Sequence, residues 1–233
     1  MSKVLGVNET GFGLLIERDA GYIDGSSLNN EKVINESFKI NPDQPLLINC
    51  ILQKWGVKNK NGRVYPKDIL IREVERYQEQ INTNSAMNEA DHPDSSVVSL
   101  DNISHGIKKM WWGQGENQHV LYGQLEIITS PAYMKQGIVC MVGDKIAEYL
   151  RRGYRLGISS RGVGSLKEVN GQNEVQEDFE LICFDLVSSP STTGAYLFPE
   201  KNELQMGEAT INKNKLIKED TKILSALDRF LLN

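Results

Sequence analysis

Apolar side chains gather along this chain in short runs, and their spacing changes from run to run. Leu46 to Lys54 is a dense apolar stretch with β-branched members and predicts a buried strand. Lys58 to Arg63 is turn chemistry, because Asn61-Gly62 supplies the positive φ that a tight reversal needs. Beyond Pro66, Ile69, Leu70, Val74, Tyr77 and Ile81 recur at steps of three and four, which makes one apolar stripe on a helix. Ile103 to Trp112 and His119 to Ile128 predict two strands joined through Gly113 and Gly115. In the second of these, Leu121, Gly123, Leu125 and Ile127 share a face. Gly143 to Arg152 predicts a second helix, with Asp144 in its first turn, Arg151 and Arg152 in its last, and Gly153 as its stop. Leu156 to Leu166 is a glycine-interrupted strand, and Phe179 to Val187 is a strongly apolar one closed by Ser188-Ser189-Pro190.

The two ends of the chain lack such a period. Residues 1–45 predict an irregular or loosely docked arm, residues 46–198 a single domain, and residues 199–233 a polar tail. The tail carries one short amphipathic helix, with Ile223, Leu224, Leu227, Leu231 and Leu232. The order strand, helix, two strands, helix, two strands predicts an α+β fold. It is a mostly antiparallel mixed barrel or sheet flanked by helices. No internal repeat interrupts it.

Composition narrows the function classes. The 233 residues are 39% hydrophobic and 24% charged, with a formal net charge of -5. No dense Lys/Arg cluster offers to neutralise phosphates, so nucleic acid is not an expected partner. No apolar run nears the roughly 18 residues of a membrane span, and no signal-peptide pattern opens the chain, so no membrane association is expected. Cys50, Cys140 and Cys183 are far apart and set in apolar runs. They predict buried small side chains in a reducing compartment, without a disulfide framework or a zinc site.

Three places carry chemistry that a plain core does not need. Gly157 to Gly164 holds Ser159-Ser160-Arg161 among three glycines, which suits an exposed hydroxyl beside backbone N–H groups. Asn88 to Pro93 holds His92, an imidazole in an extended segment before a proline and a natural general base near neutral pH. His105 lies in a strand and His119 at a turn end, and both compete less well for that role. Asp185 interrupts the apolar run Leu181 to Val187, and a carboxylate there needs a partner. Each signal alone is also what an edge strand, a surface loop or a polar strand face would give.

In order and spacing, several of these segments resemble the prohead core serine proteases of tailed phages, closest to the T-even type. They are Asn61 to Lys67, Asn88 to Pro93, and Gly157 to Leu166. Lys109 to Trp112 and Val120 to Gly123 match as well. The likeness spans about residues 46–198 and implies a fold similar to the herpesvirus assemblin protease, a β-barrel ringed by helices. It implies Ser159 as nucleophile, His92 as base and Asp185 as third member, with Asp91 and Asp178 in reserve. By position, Ser160, Arg161 and Gly162 are candidates for the oxyanion hole. No cofactor or metal is implied. The implied substrates are phage scaffold, core and capsid proteins, met inside the assembling procapsid in the host cytoplasm. A homodimer or higher oligomer is left open. Cleavage after Glu with Leu or Ile two residues earlier is implied too. That makes Glu17, Glu36 and Glu219 candidate self-cleavage points. Three rivals stand beside this: a non-catalytic scaffold or core protein of the same assembly, a metal-dependent hydrolase using Asp91, His92 and His105, and, weakest because of the acidic charge, a nucleic-acid-binding barrel.

Overall fold

The structure, a computed structural model, describes residues 3–6, 8–17 and 43–197. Nine strands run through it: β1 (Gly11–Ile16), β2 (Leu46–Lys54), β3 (Arg63–Val64), β4 (Met87–Glu89), β5 (Ile103–Trp112), β6 (Val120–Ile127), β7 (Gly157–Val169), β8 (Gln172–Val175) and β9 (Glu180–Val187). Three α-helices join them: α1 (Lys67–Asn82), α2 (Pro131–Gln136) and α3 (Val142–Arg151). No described helix is long and apolar enough to cross a membrane.

The strands form two sheets. One has the order β2-β6-β5-β4, and all its neighbours are antiparallel. The other has the order β1-β7-β8-β3, with β9 also paired to β7. The closed barrel among the expectations is not formed. Among the described residues, β2 and β4 stand at the two edges of the first sheet, and the sheets touch through an isolated bridge between Ala90 and Leu186 rather than a continuous ladder. Closure needs strand tilt and stagger to match around a full circle. β4 ends after three residues, too short to carry a ladder across to β9.

The elements expected from periodicity are present with ends shifted by a few residues. Helix α1 buries Ile69, Leu70, Val74 and Tyr77, and Tyr77 meets Phe184 edge-on at 5.6 Å. That contact fixes α1 over β9. Helix α3 turns Ile146, Ala147 and Leu150 inward. Asp144 anchors the chain ahead of it by accepting the backbone N–H groups of Ser130, Cys140 and Met141 at 2.7, 2.8 and 3.1 Å. Each fully buried Leu or Ile contributes about 1.5–3 kcal/mol.

Three features depart from the sequence pattern. Within the stretch expected to be irregular, Gly11–Ile16 forms β1 and pairs antiparallel with β7, from Gly11 opposite Leu166 to Ile16 opposite Arg161. The strands β3, β4 and β8 and the helix α2 also escaped the pattern, being only two to six residues long. Cys50 and Cys183 are buried as expected, but Cys140 is exposed. Its apolar neighbours Ile138, Val139 and Met141 are exposed as well, because this run connects α2 to α3 and lies in neither sheet nor helix. The terminal amphipathic helix expected over residues 223–232 lies outside the described residues.

Candidate active site

Strand β7 is the hub of the site because it is paired on both sides. Its N-terminal half lies against β9, with Ser159 directly opposite Asp185 and Arg161 opposite Cys183. The two-residue period of a strand puts Ser159 and Arg161 on one face, beside Cys183 and Asp185 from the neighbouring strand. The glycines are needed for close approach. A Cβ at Gly157 would lie 2.5 Å from the Pro190 ring, and one at Gly162 would lie 2.6 Å from the Glu180 carbonyl oxygen.

His92 reaches this face from the segment that follows β4. Asn88 pins that segment: its Oδ1 accepts the Tyr77 hydroxyl at 2.8 Å and the Phe184 N–H at 2.9 Å. The chain then turns at Asp91, which adopts φ 63° and donates its N–H to the Leu186 carbonyl at 2.7 Å. The following imidazole sets Nδ1 2.7 Å from Asp185 Oδ2, and both side chains are fully buried. Its other nitrogen, Nε2, is buried with no hydrogen-bond partner among the described residues.

Asp185 is surrounded by donors. Besides His92, it accepts the Glu89 N–H at 3.1 Å and meets Arg161 Nε at 2.8 Å. Burial alone would raise its pKa, but the His92 hydrogen bond and charge, the Arg161 guanidinium and the Glu89 N–H hold it below the usual carboxylate value. Arg161 also donates to the Ser95 carbonyl at 2.8 Å and to Glu89 Oε2, so one guanidinium ties the His92 loop to β7 and neutralises two buried carboxylates. Its pKa stays above the ordinary arginine value despite burial, because Cys183 and Asp185 face it and Glu89 bonds to it.

The Ser159 hydroxyl donates to the backbone carbonyl oxygen of Glu17, the residue just after β1. The Ser191 N–H donates to the same oxygen at 3.2 Å. Of the three oxyanion candidates, Ser160 turns its hydroxyl to Gln53 Nε2 at 2.9 Å, Arg161 faces Asp185, and Gly162 lies opposite Leu15 of β1. Thr192 in turn donates to Gln53 Oε1 at 2.7 Å. Ser191, Gln53 and Thr192 carry no sequence motif, and only their placement marks them; Glu89 lies in the His92 segment, but nothing in that segment pointed to its pairing with Arg161.

The reserve carboxylates lie elsewhere. Asp91 is exposed, and Asp178 bonds to Ser165 in an exposed position. His105 is fully buried; its Nε2–H donates to the Phe184 carbonyl at 2.9 Å, and its Nδ1 accepts the Ser104 hydroxyl at 2.9 Å. His119 stands apart, edge-on to Trp55 at 6.1 Å. Among the self-cleavage candidates, Glu17 falls within the described residues, whereas Glu36 and Glu219 fall outside them.

Three comparisons bear on this arrangement. Residues 5–206 match the family described as prohead core protein serine protease. The chain is 35% identical over 168 residues to the prohead core protein protease of Enterobacteria phage T4, covering 70% of this chain and 74% of that protein. It is similar in fold to the solved structure of the bacteriophage T4 capsid assembly protease. That match has a TM-score of 0.55 and 30% identity, covering 75% of this chain and 96% of that one. The family match spans most of the chain, and this chain belongs to the prohead core protein serine protease family.

Proposed function

We propose that this peptidase is a serine endopeptidase that cleaves scaffold, core and capsid proteins after Glu during phage prohead maturation. Ser159 is the nucleophile, His92 the general base and Asp185 the group that orients His92. The observation that carries this reading is the pairing of His92 with Asp185 beside a serine whose hydroxyl meets a peptide carbonyl. With Nδ1–H held by Asp185, Nε2 keeps its lone pair free to take a proton. The Ser159 hydroxyl, which in the structure donates to the Glu17 carbonyl oxygen, turns its proton to Nε2, unpartnered among the described residues, as its oxygen attacks the carbonyl carbon. The oxyanion is held by the Ser191 N–H, and the proton then goes to the leaving amine as the C–N bond breaks. Water repeats the sequence on the acyl-enzyme and releases the acid.

The chain's own Glu17–Arg18 bond is a substrate on this reading, since its carbonyl already lies at Ser159. Glu36 and Glu219 are further self-cleavage points by their Ile-x-Glu pattern. The test sets Ser159→Ala, Ser160→Ala and His92→Ala side by side on a peptide with Leu-x-Glu before the cut. Ser159→Ala and His92→Ala abolish turnover to a similar degree, because members of one catalytic unit are not additive. Loss on Ser160→Ala alone moves the nucleophile by one residue. Mass spectrometry follows the termini: a new N-terminus at Arg18 appears in the active chain and not in Ser159→Ala. Intact termini after prolonged incubation of chain that cuts the peptide would rule out self-processing.

A further inference from the structure

Strand β2 carries an irregularity that its apolar pattern does not account for. Ile48 and Cys50 lie opposite Leu125 and Gly123 of β6, whereas Asn49 and Ile51 lie opposite Gln124 and Tyr122. A strict two-residue period would put Gln53 with Asn49 and Ile51. A register shift between Ile51 and Gln53 instead brings Gln53 opposite Leu121, on the face of Ile48 and Cys50. The bulge thereby turns an amide into the interior, toward β7.

The Gln53 amide is buried and used at both ends. Its Oε1 accepts the Thr192 hydroxyl at 2.7 Å and the Lys54 N–H at 3.0 Å. Its Nε2 donates to the Ser160 hydroxyl oxygen at 2.9 Å. The Lys54 N–H can only donate, which fixes the end of the amide that is oxygen. Ser160 and Thr192 are buried as well.

A buried glutamine with partners at both ends is by itself an ordinary core feature. What sets this one apart is the pair of residues it joins. Ser160 follows Ser159 and points to the opposite face of β7. Thr192 follows Ser191, whose N–H meets the same carbonyl oxygen as the Ser159 hydroxyl. The chain after β9 is moored to β7 on either side of this point. Before it, the Pro190 ring fills the space over Gly157. After it, the Ala195 carbonyl accepts the Ile158 N–H at 2.9 Å. Between these moorings the Lys60 N–H donates to the Ser191 carbonyl at 3.1 Å, and the Thr192 hydroxyl reaches across to Gln53.

Resting on the protease reading above, we propose that Gln53 is a positioning residue: through Ser160 and Thr192 it sets the spacing between the Ser159 nucleophile and the Ser191 N–H that receives the oxyanion. Its effect falls on the transition state, where negative charge grows on the oxygen facing Ser191. Binding of the peptide in the ground state does not draw on that charge. Loosening the bridge therefore lowers kcat and leaves KM nearly unchanged.

The test uses the full chain and a peptide with Leu-x-Glu before the cut. End-point labelling by a fluorophosphonate counts the competent Ser159, so kcat is read per competent site. Thr192→Val removes one hydroxyl at nearly constant volume and leaves Gln53 Oε1 bonded to the Lys54 N–H. It lowers kcat roughly 10- to 100-fold, with KM within about 3-fold of wild type. Thr192→Ser keeps the hydroxyl and recovers most of the loss. Gln53→Met also lowers kcat, and adding Thr192→Val to it costs little more, because both act through one bridge. Thr192→Val keeps the test decisive if Gln53→Met folds poorly. An unchanged kcat per labelled site in Thr192→Val, a loss that Thr192→Ser does not recover, or losses that multiply in the double variant would each overturn the bridge and leave the protease standing. A folded wild type that is neither labelled at Ser159 nor able to cut the peptide overturns the protease reading and the bridge with it.

Discussion

Replacing Asp185 by asparagine keeps the shape of the side chain and reverses the hydrogen-bond character of one of its ends. The carboxylate meets the Glu89 N–H at 3.1 Å, His92 Nδ1 at 2.7 Å, Arg161 Nε at 2.8 Å and the Cys183 thiol at 3.2 Å. Among them an amide NH2 finds only the Cys183 sulfur, a weak acceptor already bonded by Arg161. Facing Glu89 it meets an N–H, and facing His92 it forces the imidazole to move its proton to Nε2. In that tautomer His92 cannot take the Ser159 proton. Loss of turnover of about 10³- to 10⁴-fold follows from the wrong tautomer alone. Stability falls too, because Arg161 loses one of the two carboxylates that neutralise it. Breaking a buried pair costs about 3–5 kcal/mol, and Glu89 retains part of the compensation, so about 3 kcal/mol is expected. For a chain of this size that lowers Tm by about 6–12 °C. The assay is kcat/KM on a Glu peptide beside a thermal melt in a Ser159→Ala background, where self-digestion cannot blur the transition. Activity within about tenfold of wild type, with the melt unchanged, would refute the assignment of Asp185 as the group that orients His92.

The remaining predictions concern the frame around the site. Burial lowers the His105 pKa to about 4, against the pull of the Asp185 charge and of its bond to the Phe184 carbonyl. The unfolded chain therefore binds the extra proton between about pH 6.5 and 4, and stability falls as pH falls through that window, by about 3 kcal/mol in all. Denaturant titrations of the Ser159→Ala chain from pH 7.5 to 4.5 measure the slope, and His105→Gln flattens it; an equal slope in both chains would remove His105 as its source. Gly162→Ala drives a methyl into the Phe179 ring and to 2.6 Å from the Glu180 carbonyl. It costs about 2–4 kcal/mol by overpacking, read as a lower denaturation midpoint at unchanged slope. A midpoint equal to wild type would mean that β9 yields more easily than its pairing with β7 suggests.

Local patterning was enough to reveal β2, α1, β5, β6, α3 and β9, because each is long enough for its own period to show which face is buried. Residue types also marked Ser159, His92 and Asp185 as places where chemistry could sit, since a hydroxyl among glycines, a histidine before proline and a carboxylate in an apolar run are all locally anomalous. What the chain alone does not encode is which distant groups meet. His92 and Asp185 are 93 positions apart, and Glu17 and Ser159 are 142 apart. Strand β1 reads as irregular because its order comes from the β7 edge beside it, not from its own six residues. The turn from Asn59 to Arg63 was visible, but not that its side chains surround the Glu17 carboxylate. Donor groups become a carboxylate pocket only when a second segment brings the charge, and Ser191 and Tyr65 had to be folded in from both sides. Whether the sheets close was equally out of reach, because closure depends on strand ends meeting in space. Sequence periodicity is a one-dimensional record of burial, whereas pairs such as His92 with Asp185 come within hydrogen-bond reach only through three-dimensional packing.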